Sequence, residues 1–154
     1  MIPDKVRAIL EANGLAAAEF EAGSTATSPL AAQKLGVEVG QIAKSLLFTG
    51  KDGRFFMVVC PGDRRLSSSK LKAAAGVKSR MATAEEALAA TGLGPGALCP
   101  FGIDPAIAVF IDGSLRQYPV IYPAAGTDSS GVPMTFDQLA RITGGAIGDY
   151  LAED

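Results

Sequence analysis

Residues 42–49 and 54–60 are two apolar runs of strand length separated by Gly50-Lys51-Asp52-Gly53, and no other feature narrows the possible folds of this chain as far. Two such runs joined by a short Gly/Asp turn read as an antiparallel hairpin. With period-two alternation over residues 42–48, Ile42, Lys44, Leu46 and Phe48 share one face while Ala43, Ser45 and Leu47 take the other. A lysine therefore stands among three large apolar side chains. Because lysine is almost never fully buried without a partner, its ammonium either lies at a cleft facing an anionic ligand or runs along its stem to water. Lys44 gains weight because the 154 residues include no histidine. A Ser-His-Asp triad, a Cys-His pair, a His-x-x-x-His zinc site and an imidazole base are all excluded.

A second feature follows about fifty residues later, in Thr91-Gly92-Leu93-Gly94-Pro95-Gly96-Ala97-Leu98-Cys99-Pro100-Phe101-Gly102. Four glycines and two prolines in twelve residues exclude helix and strand interior, and bring stiff backbone close to a neighbour. Such a loop can turn N–H groups toward an oxyanion or a phosphate without any side-chain acid or base. It can equally be a tight connection between a helix ending near Ala90 and a strand starting near Ala106.

Elsewhere short helices and strands interleave without repeats or low-complexity linkers. Pro3 suits the first turn of a helix with Val6, Ile9 and Leu10 inward and Asn13-Gly14 as its stop. Residues 16–21 are a strand candidate. Ser28, with Pro29 behind it, can cap a helix ending at Gly36, and Ser67 or Ser68 can cap one ending at Gly76. Thr83-x-x-Glu86 and Thr135-x-x-Gln138 are capping boxes. Strands are expected at 106–112 and 118–122 and just before Thr135, with one or two final helical turns over 146–151. Hairpin-linked strands mixed with short helices favour a single α+β domain over residues 1–154, built on a mixed, mostly antiparallel sheet.

The length fits one domain able to bury roughly 70% of its unfolded surface. Apolar runs stay far below the ~20 residues of a membrane span, and Met1-Ile2-Pro3-Asp4-Lys5 has no signal-peptide core, so no membrane partner and a cytoplasmic location are expected. Cys60 and Cys99 lack metal-site spacing, so neither a metal nor another cofactor is expected. A net charge of −2 argues against a general nucleic-acid binder, DNA included. The charges are nonetheless segregated: residues 64–80 hold Arg64, Arg65, Lys70, Lys72, Lys78 and Arg80 with no acid. Such a cluster can neutralise a few phosphates, or simply be a solvated face.

The segments Gln41-Ile42-Ala43-Lys44-Ser45-Leu46, Gly62-Asp63-Arg64-Arg65-Leu66, Gly96-x-x-x-Pro100-Phe101-Gly102 and Ile111-Asp112-x-Ser114-Leu115, in this order and spacing, resemble the YbaK/ProX family. Its members are freestanding relatives of the editing domain inserted in bacterial prolyl-tRNA synthetases, and the resemblance runs from about residue 30 to residue 151. It implies trans-editing, the hydrolysis of the ester linking a wrong amino acid to the 3′-terminal ribose of a tRNA. The substrate it suggests is a tRNAPro carrying cysteine, alanine or a similar small residue. By the same resemblance Lys44 and Gly96 carry the function, and Ala97, Leu98, Cys99 and Pro100 shape the amino-acid pocket. Gly102, Ser45, Asp112 and Gly126 are further substrate-side positions. Arg64, Arg65, Lys70 and Lys72 would meet the tRNA acceptor end, and prolyl-tRNA synthetase is a further candidate partner.

An aminoacyl ester is already activated, so a positioned water and stabilisation of the oxyanion can suffice, with the ribose hydroxyl or the substrate amine assisting proton transfer. Lys44 would then anchor a phosphate or the ribose, or else act as a base held neutral by desolvation. Cys99 could be a nucleophile or pocket lining, and Asp112 or Asp137 could orient the amine or serve a turn and a helix dipole. Ser24, Thr25 and Thr27 could face the aminoacyl group or form turns and caps. A module that binds aminoacyl-tRNA or a synthetase without hydrolysis is the rival reading.

Overall fold

The computed structural model describes residues 1–153. In chain order the elements are α1 (Asp4–Ala12), β1 (Ala18–Glu19), α2 (Ser28–Leu35), β2 (Ala43–Gly50), β3 (Phe55–Pro61), α3 (Ser68–Ala75), β4 (Ser79–Met81), α4 (Ala84–Thr91), β5 (Ala108–Asp112), β6 (Ser130–Gly131), α5 (Phe136–Thr143) and β7 (Ala146–Gly148). The hairpin β2–β3 is the centre of a five-stranded sheet ordered β4-β2-β3-β5-β7. β4 also runs antiparallel to β2, whereas β5 and β7 add in parallel on the other side. A separate antiparallel ladder joins β1 to β6, so three of the five ladders are antiparallel.

The alternation of β2 decides what each side of the sheet does. Lys44, Leu46 and Phe48 oppose Cys60, Val58 and Phe56 of β3, and Val58 in turn opposes Phe110 of β5. On this face Phe48, Phe56, Phe110 and Tyr150 form a row of ring contacts 5.4 to 5.6 Å between centroids, closed over by Leu71 of α3. The opposite face carries Ala43, Leu47, Met57, Val59 and Ile111. It packs against α1, α4, α5 and the glycine-rich loop through Val6, Leu10, Ala87, Leu139, Leu93, Cys99 and Phe101.

Helix ends follow local chemistry. Thr83 and Thr135 make both halves of their capping boxes, and Ser67 accepts from the Lys70 N–H. For α2 the cap is Thr27 rather than Ser28, because Thr27 Oγ1 is the acceptor for the Leu30 N–H. Gly36, Gly76, Gly92 and Gly144 end their helices in the left-handed region, where a side chain would be strained.

Three expectations change, and one strand, β4, was not expected. Residues 146–151 do not form helical turns: β7 adds to β5, and its approach leaves no room for a side chain at Gly145 or Gly148. A Cβ on Gly145 would lie 2.8 Å from Ile111, and one on Gly148 would lie 2.8 Å from the Tyr150 hydroxyl. The strand expected over 16–21 shortens to two residues, since its partner β6 is only that long. Residues 118–122 make isolated bridges, Ile42 to Tyr122 and Ile121 to Met134, after a 3₁₀ turn over Gly113–Gln117. β4 had no sequence signal, because Ser-Arg-Met lacks an apolar alternation.

Candidate active-site cleft

A cleft of about 370 Å³ opens beside the first half of β2. Its walls are the turn Thr25–Ser28 and α2 on one side, the start of α4 on another, and Pro95, Gly96 and Leu98 of the glycine-rich loop. Tyr122, Ala124 and Ser130 complete it. Two helix N-termini, those of α2 and α4, thus border one cleft, each contributing the positive end of a helix dipole. No Asp or Glu lines it among the described residues, and Lys44 is its one cation.

Ser45 is the polar group that stands out. Its side chain lies on the face opposite the Lys44 ammonium, is 8% exposed, and its Oγ has no hydrogen-bond partner among the described residues. A hydroxyl stranded in this way costs about 1–3 kcal/mol unless something arrives to pair with it. The other buried hydroxyls are spoken for: Thr25 Oγ1 accepts from the Ser130 N–H at 3.0 Å, and Ser130 Oγ accepts from Ala125 N–H and Thr127 Oγ1.

Lys44 borders the cleft, and its Nζ donates to the Arg64 carbonyl at 2.9 Å, beyond the end of β3. An ammonium has three protons, so one such bond leaves donors for a ligand. Gly96 serves the cleft through its lack of a side chain: at φ +76° its missing Cβ would lie 2.8 Å from the Ala26 carbonyl oxygen. The loop can therefore press against the turn before α2. Leu98 joins the lining, Ala97 packs into the core, Pro100 is buried and Cys99 is fully buried. Burial pushes the Cys99 thiol up to about 11 and the Cys60 thiol to about 12, the wrong direction for a nucleophile.

Other positions lie elsewhere. A Cβ on Gly102 would meet the Lys5 stem, and one on Gly126 would meet Pro3, so both glycines accommodate α1. Asp112 is 1% exposed on the far side of the sheet; its carboxylate accepts from the N–H groups of Ser114 and Tyr150 and from the Ser114 hydroxyl. There it ties β5 to the C-terminal segment. Asp137 lies in the first turn of α5. Of the cations, Lys70 donates to Asp149 Oδ2 and the Leu151 carbonyl, and Arg64 to the Ala152 carbonyl. Arg65 and Lys72 are exposed and make no ion pair among the described residues. The start of α4, Tyr122 and Ala124 carried no sequence signal as cleft residues; Thr25 and Thr27 did, through the Ser/Thr cluster before α2.

The chain is similar to known proteins in sequence and in fold. A sequence model of the aminoacyl-tRNA editing domain matches residues 22–142. The uncharacterized protein YwhH of Bacillus subtilis is 35% identical over 125 residues, which cover 81% of this chain and 79% of YwhH. The proline–tRNA ligase of Thermosipho melanesiensis is 49% identical over 73 residues, 47% of this chain but only 13% of the ligase. A crystal structure described as "a putative trans-editing enzyme for prolyl tRNA synthetase" superposes over 100% of both chains with a TM-score of 0.87 and 34% identity. With most of its length matched, including the lysine strand and the glycine-rich loop that frame the cleft, the chain belongs to the aminoacyl-tRNA editing domain family.

Proposed function

We propose that the protein acts in trans on mischarged aminoacyl-tRNA, with a tRNAPro bearing a small wrong amino acid as substrate, and hydrolyses the ester to the terminal ribose. The observation that carries this reading is the stranded Ser45 hydroxyl in a cleft lined by alanines, with no carboxylate among the described residues. Alanines at 31, 43, 82, 84 and 87 leave room for a methyl, hydroxymethyl or thiomethyl side chain. Among the described residues the walls supply no acid or imidazole, so catalysis rests on position. Lys44 anchors the terminal phosphate or ribose with the protons not held by Arg64, and the loop at Gly96 holds the ester carbonyl and a water against the turn before α2. Proton transfer then falls to the ribose hydroxyl or the substrate amine. With no histidine and both thiols buried, the donor set for a catalytic metal is poor, and hydrolysis is expected to survive chelation. Prolyl-tRNA synthetase, which makes the mischarged product, is the natural upstream partner, and the cytoplasm the natural location.

The direct test is loss of label from alanyl-, cysteinyl-, seryl- and prolyl-tRNAPro with purified protein, measured against spontaneous hydrolysis. Acceleration for at least one small residue, with prolyl-tRNAPro spared, is the expected result. Tight binding without acceleration for any of them would make the protein a non-catalytic aminoacyl-tRNA binder instead.

A further inference from the structure

The edge of β2 that faces the cleft is held by one hydrogen bond at each end, and between them one residue has both of its backbone groups open. Ala43 N–H donates to the Tyr122 carbonyl at 3.2 Å, and the Leu47 carbonyl accepts from Ala82 N–H at 2.8 Å. Ala43 opposes Pro61, which has no N–H, so this is a pair whose backbone groups point away from each other. Alternation then turns the odd-numbered residues of β2 outward from β3. The turn confirms this: even-numbered Gly50 donates its N–H back to the Arg54 carbonyl at 2.8 Å, whereas odd-numbered Lys51 donates outward to the Lys78 carbonyl at 2.9 Å. Between the two closures only Ser45 remains, with both its N–H and its C=O directed out of the sheet and into the cleft. The β4 ladder stops at Phe48, and the chain then leaves for α4.

We propose that this gap is the recognition site for the α-aminoacyl unit itself: the substrate's amino acid docks on Ser45 as a strand one residue long. In a hydrogen-bonded antiparallel pair two residues exchange both N–H···O bonds. An aminoacyl ester carries the same N–Cα–C=O unit as a strand residue, with its amino group in place of the N–H. That amino group donates to the Ser45 carbonyl, and the Ser45 N–H donates to its ester carbonyl oxygen. That N–H stays with the oxygen as it takes on charge during attack by water, so the contact serves the transition state as well. Directly opposed residues of a pair put their side chains on one face, which brings the side chain of an L-amino acid beside Ser45 Oγ and the alanines. A D-residue would direct its side chain to the other face. The inference deepens the editing reading and rests on it for the identity of the ligand.

Backbone groups can be removed from both sides. Ser45→Pro deletes the N–H at a position where the ladder does not use it, a place where an edge strand tolerates proline; Ser45→Ala deletes only the hydroxyl. Relative to Ser45→Ala, the proline variant is expected to lose about 10- to 100-fold in kcat/KM, the range for one charge-assisted hydrogen bond. On the substrate side, propionyl-tRNA is alanyl-tRNA without its amine. Its acceleration over spontaneous hydrolysis is expected to fall by at least about tenfold. That arm decides the matter alone if the proline variant does not fold. Equal acceleration of propionyl- and alanyl-tRNA would overturn the proposal, as would a folded proline variant as active as Ser45→Ala. A third measurement separates this inference from editing itself. The amide-linked analogue 3′-alanylamino-3′-deoxyadenosine should shift the Ser45 amide resonance, and its propionyl counterpart should not. Those shifts in a protein that hydrolyses none of the tRNAs would uphold the edge and refute editing; hydrolysis with an unmoved Ser45 amide would do the reverse.

Discussion

At Gly96 the difference between hydrogen and methyl sets the shape of the cleft. A Cβ there would stand 2.8 Å from the Ala26 carbonyl oxygen and 2.9 Å from its Cα, and Ala26 is backbone that cannot swing aside. Gly92 has the same φ of +76° but nothing within 4 Å of its Cβ position. The pair therefore separates conformational strain from collision. Both alanine variants should lose about 1 kcal/mol from the left-handed backbone, but only Gly96→Ala should also cut kcat, by about 10²-fold for an ångström of displacement. Equal kcat in the two variants would remove Gly96 from the site. Lys44 can be dissected likewise. Its ammonium is partnered by the Arg64 carbonyl, so its removal does not simply relieve a desolvated charge. Lys44→Ala should cost about 1–2 kcal/mol by leaving that carbonyl short of a donor. Lys44→Gln keeps a donor and drops the charge. If the charge anchors the tRNA terminus, thermal unfolding should show glutamine recovering stability, while kinetics should show both variants losing at least about tenfold in kcat/KM. Full activity in Lys44→Gln would reduce the lysine to a tether.

At the scale of elements, α4 shows how a wall of the cleft is held. Its first turn carries the Thr83–Glu86 capping box, and Glu86 also takes both guanidinium nitrogens of Arg80 at 2.7 and 2.9 Å, joining helix to β4. The Arg80 guanidinium, followed by the Thr83 N–H, holds the Glu86 carboxyl at about 2, below its ordinary 4.5. A depressed carboxylate contributes stability that is complete above its unfolded pKa and is lost as pH falls toward the folded one. Between pH 4.5 and 2 the melting temperature should therefore fall more steeply in the parent than in Glu86→Gln, which keeps a capping side chain but cannot ionise. Parallel melting curves across that window would show that the pair contributes nothing. Elements of this kind were legible in the sequence because their signals are local: a hydroxyl three residues before Glu or Gln, a glycine where the helix stops, two apolar runs around a turn. β7 and β4 were not, since each is a strand only by virtue of a distant neighbour. Ala146–Gly148 pairs with β5 across thirty-odd residues of chain, and Ser79–Met81 has its place because β2 offers an edge.

For the whole molecule, the same distinction governs the site. Lys44 and Gly96 could be singled out because each sits in a segment of odd composition. That Ser45 would be the stranded group, and that α4 and Tyr122 would close the cleft around it, depends on long-range packing that no window of sequence contains. The basic cluster makes the point most sharply, because adjacency in sequence there misleads about availability. Lys70 and Arg64 are engaged by the C-terminal segment through Asp149, Leu151 and Ala152, and Arg80 by Glu86. Arg65 and Lys72 are exposed and make no ion pair among the described residues. If the acceptor stem crosses this surface, those two supply the counterion release. Arg65→Gln with Lys72→Gln should then lower the slope of log affinity against log salt by about 2, with kcat at saturation unchanged. Lys70→Gln should behave oppositely, lowering the melting temperature by freeing Asp149 and the Leu151 carbonyl while leaving the salt slope nearly intact. A salt slope that moves with Lys70 and not with Arg65 and Lys72 would mean that the C-terminal segment lifts away when tRNA binds, and would place the acceptor stem on the surface it uncovers.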